Sequence, residues 1–325
     1  MPDPLLQHLR RTLGPLEVIE SLDHGAWSRA FRIRREEPRS HPDARPRPES
    51  DGAGDLVVRV SETPENFQRD AEAYELAGDK LPIPRILETG EIEGRHFAVS
   101  EFRAGEHFEL LSPEELRPLV DEVVSLCRGL SEVDLSEQSG FGYWDRDLRG
   151  EYESWAGYLL DVIEDRPLPS NLIHGWRSRL QQSGRGMTEF KELHGVLRGL
   201  AAALPEERHL IHSDLLNYNV LARDGRITAV LDWGCAKFGD PLYDLAWFEF
   251  YEPWYPAFRE VGLVAALGRA YPGFLENADA LSERRLACAI HIGLDSMAYN
   301  AYRDDMPHYE EARDRAWSVI RAHGR

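Results

Sequence analysis

The chain has 325 residues, of which 42% are apolar and 10% aromatic, enough for two hydrophobic cores and against a disordered protein. Its 57 acidic and 38 basic residues give a formal charge of −19, which disfavours nucleic acid or an anionic membrane surface as partner and favours a cationic one. Three scattered cysteines indicate neither a disulfide framework nor a zinc site. Without an export signal or a spanning segment, these features predict a cytoplasmic protein.

The first hundred residues show the patterns of a small β-rich region. Strands are predicted at 16–22, 28–33, 56–60, 86–90 and 96–102, and a helix at 66–77. A hairpin turn with Gly25 joins the first two strands. The segment 34–55 is crowded with Pro, Arg, Glu, Ser and Gly and has almost no apolar residues, so it is predicted to be a mobile loop.

From Ser112 onward the patterns become mainly helical. The run Ser112-Pro113-Glu114-Glu115 is a capping box with proline at the first helical position, which predicts a long helix toward Leu130. Helical spacing recurs at 152–163, 190–204, 242–251, 266–271, 282–302 and 308–322, with two short strands near 218–233. The predicted fold class is α+β, with a small β-rich N-terminal lobe (1–102) and a larger, mainly helical C-terminal lobe (103–325).

The strongest chemical motif is an H-x-D-x-x-x-x-N string that runs from His212 to Asn219 and precedes an apolar pair. Transfer of a phosphoryl group explains this spacing. An aspartate, here Asp214, must position the substrate hydroxyl and accept its proton, while an amide oxygen five residues later binds a metal ion that neutralises the phosphates. The string therefore predicts Asp214 as the catalytic base and Asn219 as a metal ligand.

A second acidic motif follows Asn219 by thirteen residues. Asp232 ends the apolar run Ala229-Val230-Leu231 and is followed by Trp233-Gly234, which is similar to the D-F-G element of kinases. Either motif alone could be a capped turn or a buried polar pair. Both together, in this order and at this separation, predict a phosphotransferase in which Asp232 is a second metal ligand.

The chain resembles the aminoglycoside phosphotransferase family over most of its length, with segment 34–55 lacking a counterpart. Besides the two motifs, the shared residues are Gly25 with Ser28-Arg29-Ala30-Phe31, Leu81-Pro82-Ile83-Pro84, Asp134-Leu135-Ser136 with Ser139-Gly140-Phe141-Gly142, Gly225-Arg226-Ile227-Thr228-Ala229-Val230, Phe238-Gly239-Asp240 and Ile292-Gly293-Leu294-Asp295. The resemblance implies a bilobal protein-kinase-like fold, magnesium, ATP or GTP as co-substrate, and phosphorylation of a hydroxyl on a cationic antibiotic.

The resemblance also implies a nucleotide site in the first lobe. Arg59, on the third strand, takes the place of the lysine that binds phosphate in most relatives, and a guanidinium can hold phosphate oxygens in a fork. Asp70 is its expected carboxylate partner, with Glu72 as the alternative. The turn with Gly25 and Ser28 is expected to lie over the phosphates.

Two further sites follow from the same resemblance. The hinge residues Ser100, Glu101 and Phe102 are expected to bind the purine through their backbone. Acidic and aromatic side chains suit an ammonium-bearing sugar, although aromatic residues at this density can equally belong to a core. Those expected to contact the acceptor are Tyr218, Glu249, Tyr251, Glu252, Trp254 and Asp295. Tyr218 and Tyr251 depart from the family pattern, which leaves the identity of the acceptor open.

Three alternatives are weighed on the residues. The absence of an A-P-E motif after Asp232 argues against a protein kinase, and Asp240 and Asp244 are expected to cap a helix and brace the catalytic loop. A metabolic kinase acting on choline, a sugar or another natural product has the same motifs. A non-catalytic nucleotide-binding scaffold would not need every polar group that this chain keeps. Nothing in the sequence demands a partner chain, so a monomer is expected.

Overall fold

The computed structural model describes residues 1–22, 28–35, 54–166, 173–184, 186–275 and 280–324. Gly25 and most of the predicted loop 34–55 lie outside these ranges. Across the described residues, no helix combines the length and the apolar character that crossing a bilayer requires.

The described residues form strands and helices of very different lengths. The strands are β1 Leu16–Leu22, β2 Arg29–Arg35, β3 Asp55–Ser61, β4 Ile86–Ile92, β5 Arg95–Glu101, β6 Glu106–His107, β7 Phe141–Trp144, β8 Gly150–Tyr152, β9 His209–Ile211, β10 Val220–Arg223, β11 Arg226–Val230 and β12 Lys237–Gly239. The helices are α1 Asp3–Leu13, α2 Glu65–Ala77, α3 Pro113–Leu116, α4 Val120–Ser131, α5 Trp155–Asp161, α6 Trp176–Gln182, α7 Thr188–Ala201, α8 Leu242–Tyr251, α9 Pro256–Glu260, α10 Leu263–Ala270, α11 Leu281–Tyr302 and α12 Met306–Ala322.

The chain forms two compact units. The first consists of Met1–Leu111 and Leu216–Gly234, and the second of Ser112–Leu215 and Cys235–Arg325. The first unit thus extends beyond the expected boundary at residue 102 and takes in a later segment. The reason is hydrogen bonding: β10 pairs with both β6 and β11 in an antiparallel sheet, which joins the segment around Asn219 to the first unit.

An antiparallel sheet in the order β1-β2-β3-β5-β4 dominates the first unit. Leu5 and Leu9, one turn apart on α1, are buried against apolar residues of this sheet, among them Phe31, Val58 and Phe97. Burying a leucine contributes roughly 1.5–3 kcal/mol. This core holds β3 in place, so that Arg59, between the buried Val58 and Val60, points to the opposite face.

The ends of the predicted loop 34–55 are strand residues, which corrects that prediction. Arg34 and Arg35 belong to β2, and Asp55 begins β3. The buried carboxylate of Asp55 accepts hydrogen bonds from Arg32 at 2.7 Å and from Arg34 at 2.8 Å. These guanidinium groups keep the pKa of Asp55 below its usual value although burial opposes them. The charge pairing extends the strands into a segment whose composition suggested a loop.

Helix α11 is the centre of the second unit. It packs against α6, α7, α8 and α12, and its residues from Leu286 to Leu294 are buried. A small sheet in the order β8-β7-β12-β9 lies in the same unit. On β12, a side chain at Gly239 would clash with the ring of Trp155, so only glycine fits.

One long helix predicted from Ser112 toward Leu130 is wrong. The capping box is present, with Ser112 accepting from the backbone of Glu115 and Glu115 accepting from that of Ser112. However, α3 ends at Leu116, a 3₁₀ turn with Pro118 follows, and α4 begins at Val120. Proline lacks the N–H that the helix interior needs, so the helical path breaks there.

Candidate active site

The predicted catalytic loop, residues 212–219, carries unusual backbone conformations. Ser213, Asn217 and Tyr218 have φ of 58°, 60° and 68°, and Asp232 has φ of 54°. Left-handed conformations cost side-chain-bearing residues energy, and they persist where surrounding contacts hold them. The residues chosen from the motifs thus lie on backbone whose shape must be enforced by the rest of the fold.

In the second unit, the buried Asp244 enforces this shape. Its carboxylate accepts hydrogen bonds from the backbone N–H groups of His212 at 3.2 Å and Ser213 at 2.7 Å, and the Ser213 hydroxyl donates to the carbonyl of Cys235 at 2.6 Å. Burial raises the pKa of Asp244 to about 6, against the opposing effects of these N–H groups and of Lys237. The backbone before Asp214 is therefore fixed on two sides.

Asp214 itself is half-buried. Its backbone N–H donates to Nδ1 of His212 at 3.2 Å, which requires that nitrogen to be unprotonated. Its negative charge raises the pKa of Tyr251, a smaller effect than that of burial, and attracts the ammonium group of Lys237. Asp214 thus shares its surroundings with one of the residues predicted for the acceptor.

A second buried group supports helix α8, which carries Asp244. Asp240 accepts from the backbone of Leu242 at 3.0 Å at the start of α8. Arg284 from α11 donates to Asp240 at 2.8 Å and to Glu207 at 2.8 Å, and its side chain is fully buried. The structure therefore uses Asp240 as a brace for the element that holds the catalytic loop.

In the first unit, Asn219 and Asp232 are held next to each other through the backbone. The N–H of Leu231 donates to the carbonyl of Asn219 at 2.7 Å, and Asn219 is buried. Burial raises the pKa of Asp232, the charge of Asp70 adds to this, and Arg59 opposes it. An ionised Asp232 at this position needs more positive charge than the arginine supplies.

Arg59 forms an ion pair with Asp70. The other oxygen of Asp70 accepts from the backbone N–H of Trp233 at 2.9 Å, so one buried carboxylate links the cation to the residue after Asp232. The guanidinium of Arg59 also lies 5.1 Å above the ring of Phe67. The alternative partner Glu72 lies 3.9 Å from Arg69 instead.

These residues fit a magnesium ion. Asn219 and Asp232 offer an amide and a carboxylate oxygen, the hard donors that magnesium prefers, and this ion takes its remaining ligands from phosphates and water. Together with Asp70 and Arg59 they comprise two carboxylates and one cation, an excess of negative charge in which burial already disfavours an ionised Asp232. A bound divalent cation would relieve that imbalance.

The predicted hinge lies at the end of β5. Ser100 is buried and paired with Val57 and Ile86. The backbone N–H groups of Glu101 and Phe102 donate to the carbonyls of Arg85 at 3.1 Å and Asp55 at 3.3 Å.

The guanidinium of Arg32 lies 4.0 Å above the ring of Phe102. Ser28, predicted to bind phosphate, directly precedes β2 and is half-buried.

The residues predicted to contact the acceptor are divided between the units. Tyr218 belongs to the first, where its backbone N–H donates to Glu109 at 2.9 Å and its ring meets that of His107. The others belong to the second unit. Burial raises the pKa of Asp295, whereas Lys237 lowers it, and Asp295 in turn raises the pKa of Tyr251.

Glu249, Glu252 and Trp254 have different surroundings. Arg285 lies 2.8 Å from Glu249, so this carboxylate is already paired, and Arg259 lies 3.6 Å from Glu252. Trp254 is 43% exposed, with its ring 5.9 Å from that of Tyr251. Tyr251, Trp254 and Glu252 thus form one acidic and aromatic patch, and both Glu249 and Glu252 have an arginine partner.

Two residues of importance escaped the sequence reasoning. Arg284 is the buried cation between Asp240 and Glu207, and Lys237 is a buried lysine near Asp214 and Asp295. Lys237 had a signal: it stands between Ala236 and Phe238 in an apolar run, where a charged residue needs a reason. Arg284 lies on a helix pattern, in which an arginine is ordinarily exposed.

The chain combines a β-rich unit with a strand-borne cation, a mainly helical unit, and an H-x-D-x-x-x-x-N loop that contributes residues to both. These features define a phosphotransferase of the protein-kinase-like class. A family model described as "Phosphotransferase enzyme family" (APH) matches residues 47–276. This chain therefore belongs to that family. The predicted family, fold class and enzyme type are confirmed.

Relatives were found among curated proteins and solved structures. Hygromycin-B 4-O-kinase from Escherichia coli is 28% identical over 273 residues, which cover 83% of this chain and 76% of that protein. A thermostable mutant of aminoglycoside phosphotransferase APH(4)-Ia in its apo form is 27% identical with a TM-score of 0.77, over 97% of this chain and 98% of that one. Its ternary complex with AMP-PNP and hygromycin B gives 26% and 0.76, over 98% of both chains.

Proposed function

We propose that this enzyme transfers the γ-phosphate of ATP or GTP, with magnesium, to a hydroxyl group of an aminoglycoside-type acceptor, for which hygromycin B is the first candidate. The observation that carries the proposal is the loop on which Asp214 is fixed by Asp244, in surroundings where the charges of Asp214 and Asp295 both act on Tyr251. The similarity to Hygromycin-B 4-O-kinase and to the complex with AMP-PNP and hygromycin B supports it.

Asp214 is the base in this proposal. Its carboxylate orients the acceptor hydroxyl and takes the proton as the oxygen bonds to the γ-phosphorus, while the bond to the nucleoside diphosphate breaks. Most of the rate in such reactions comes from positioning and from stabilising charge. The two hydrogen bonds from the catalytic loop to Asp244 supply the positioning.

The first unit serves the nucleotide. Arg59 grips phosphate oxygens and Asp70 fixes its direction, while Asn219 and Asp232 would hold magnesium, which when bound neutralises charge on the phosphates. The backbone at Glu101 and Phe102 is proposed to bind the purine, and the turn with Gly25 and Ser28 to lie over the phosphates. Asp70 also holds the backbone of Trp233, so the cation and the second metal ligand keep a fixed relation.

A cationic acceptor fits the charges of the second unit. Asp295, Glu252 and the rings of Tyr251 and Trp254 suit ammonium groups on a sugar, and the formal charge of −19 favours the approach of such a molecule. We also propose that the enzyme is a monomer in the cytoplasm, where nucleoside triphosphates are available. It is proposed to bind neither nucleic acid nor membranes. Light scattering of the purified chain tests the monomer.

The experiment is a coupled assay of ADP or GDP release with magnesium and either nucleotide, across hygromycin B, other aminoglycosides and choline. Turnover that depends on hygromycin B is expected. Turnover with choline or a simple metabolite alone would replace the aminoglycoside by a metabolic acceptor. If no acceptor in the panel causes release of ADP or GDP, the result would favour a nucleotide-binding scaffold and contradict the proposal.

A further inference from the structure

Lys237 differs from the other lysines of this chain. Basic residues here are almost all arginine, and the only lysines in the sequence are Lys80, Lys191 and Lys237. The first two are exposed, whereas Lys237, at the start of β12, is 3% exposed. A lysine is rarely buried to this degree unless its charge is compensated or used.

The ammonium group of Lys237 lies in a cage of tyrosine rings. Its Nζ is 4.9 Å from the ring centroid of Tyr143, 4.9 Å from that of Tyr243 and 5.4 Å from that of Tyr158. A cation within about 6 Å of an aromatic face is attracted by the ring. Three such rings make the arrangement by which proteins recognise an ammonium ion.

The cage is built firmly. Tyr243 and Tyr158 are buried, and the Tyr243 hydroxyl lies 2.9 Å from Nδ1 of His291. The ring of Tyr158 stacks on that of Trp155 at 5.2 Å. Burial, and to a smaller extent the positive charge of Lys237, keep the pKa of His291 well below its usual value, so this histidine is neutral beside the cage.

Three carboxylates act electrostatically on the ammonium group of Lys237 without forming an ion pair with it. Asp295, Asp244 and Asp214 all attract Lys237 and oppose the lowering of its pKa by burial. Within the described part of the chain, however, no carboxylate oxygen lies within 4.0 Å of Nζ, and no side-chain hydrogen bond of Lys237 occurs. A lysine ammonium has three donors and no acceptor, so Nζ has donors that no side-chain hydrogen bond within the described residues uses.

We propose that Lys237 determines acceptor specificity. Its ammonium group occupies, from within the chain, a subsite near Asp214 that would otherwise suit an ammonium group of the acceptor. The acceptor must therefore place an oxygen, and not an amino group, against Nζ of Lys237. An ether or hydroxyl oxygen can accept from Nζ, whereas a second ammonium would be repelled. The proposal rests on the proposed function, because the acceptor hydroxyl has to approach Asp214.

The first test empties the cage and needs no turnover. Thermal unfolding of Lys237→Ala is measured with propylammonium chloride or with the same concentration of potassium chloride. Propylammonium is expected to raise the midpoint by about 2–4 °C in this variant and not in wild type, since only the emptied cage can bind it. Equal midpoints in both salts would overturn the proposed cage.

The second test measures selectivity. Kanamycin A and kanamycin B differ by one hydroxyl in place of an amino group, as do paromamine and neamine, and kcat/KM is compared within each pair. Lys237→Met keeps the length and removes the charge, so its preference is expected to move toward an amino acceptor by at least about tenfold in one pair. Lys237→Arg should retain the wild-type preference, and Lys191→Met, an exposed lysine in the same unit, should change nothing.

The two tests separate the possible failures. The specificity role would be overturned if a folded Lys237→Met variant keeps the wild-type selectivity in every aminoglycoside pair that it phosphorylates. If wild type phosphorylates no aminoglycoside at all, the proposed function fails, and the propylammonium experiment alone decides on the cage. If Lys237→Met does not fold, Lys237→Arg takes its place. The larger planar head of arginine should lower kcat/KM for oxygen-bearing acceptors and leave KM for the nucleotide unchanged. An unaltered kcat/KM for the acceptor would then overturn the specificity role.

Discussion

Each unit contains a cluster of one arginine and two acidic residues, and these two groups have opposite roles. In the first unit Arg59 pairs with Asp70 and acts on Asp232, and its side chain is 19% exposed. In the second unit Arg284 pairs with Asp240 and Glu207, and its side chain is fully buried. In the buried group both carboxylates are paired with a cation of the chain, so this group can serve only the fold. The more open one leaves a carboxylate and a cation for a ligand.

Strained backbone occurs in both units. Asp232 has a left-handed backbone beside the open group, and Ser213 has one beside the buried Asp244. Strain at a functional residue persists only where neighbouring contacts enforce it. In the proposed mechanism, catalytic geometry therefore depends on residues that never touch the reacting atoms, and substitutions in the two groups should have separable effects.

The largest effect on stability is expected in the buried group. Arg284→Met would leave Asp240 and Glu207 without their cation, which should lower the free energy of unfolding by about 3–5 kcal/mol. Chemical denaturation with urea measures this, and Arg269→Met, an exposed arginine of α10, is the matched control. If Arg284→Met lowers the free energy of unfolding no more than the control does, the buried group does not stabilise α8.

The pH dependence of stability sharpens the role of Asp244. Its pKa is raised from 3.8 to about 6 in the folded protein, so its contribution is full below pH 3.8 and is lost as the pH rises through 6. The free energy of unfolding of wild type, relative to Asp244→Asn, should therefore fall by about 3 kcal/mol across this window.

Denaturant titrations of both proteins at a series of pH values give this difference. The subtraction removes the other carboxylates, because they titrate alike in both proteins. A difference that stays flat with pH, or rises, would contradict the assignment.

In the group of Arg59, Asp70 and Asp232, a substitution should change activity without lowering stability. Asp232→Asn removes a carboxylate whose ionised form burial disfavours, so stability should be unchanged or higher. Turnover should nevertheless fall by at least about 100-fold, because a metal ligand and its charge are lost. Thermal unfolding and the coupled assay together decide this. A variant that is both active and stable would exclude Asp232 from the metal site.

The smallest effect is expected at the cation of the open group. Arg59→Lys keeps the charge but loses the fork that can hold phosphate oxygens and Asp70 together, so KM for the nucleotide should rise by about tenfold with little change in stability. Arg59→Met should raise it further. Equal nucleotide KM values in wild type and both variants would show that Arg59 serves only the ion pair.

Sequence reasoning worked best where a local pattern coincides with the element. Helix α8 begins and ends at the predicted residues, and the strands around Arg59 lie within two residues of their predicted bounds. The short strands β6, β7, β8, β9 and β12 were not predicted, because two to four residues carry too little periodicity. The pairing that draws Leu216–Gly234 into the first unit joins residues over a hundred positions apart, which no local pattern can reveal.

The same limit applies to the site. The spacing of Asp214, Asn219 and Asp232 follows from the chemistry and could be found from sequence. Lys237 and Arg284 act through partners on distant elements, namely the rings of Tyr143 and Tyr158 and the carboxylates of Glu207 and Asp240. Only the fold brings such partners together, so their roles become visible only in the structure.

The most direct test of phosphotransfer is mass spectrometry of hygromycin B after incubation with ATP, magnesium and enzyme. Wild type and the exposed-site control Asp147→Asn should each add one phosphate group to the antibiotic. Asp214→Asn, folded as judged by thermal unfolding, should do so about 10²–10⁴ times more slowly, because the hydroxyl loses its base. Phosphorylation by Asp214→Asn at the wild-type rate, or ATP hydrolysis by wild type without modified hygromycin B, would contradict the account.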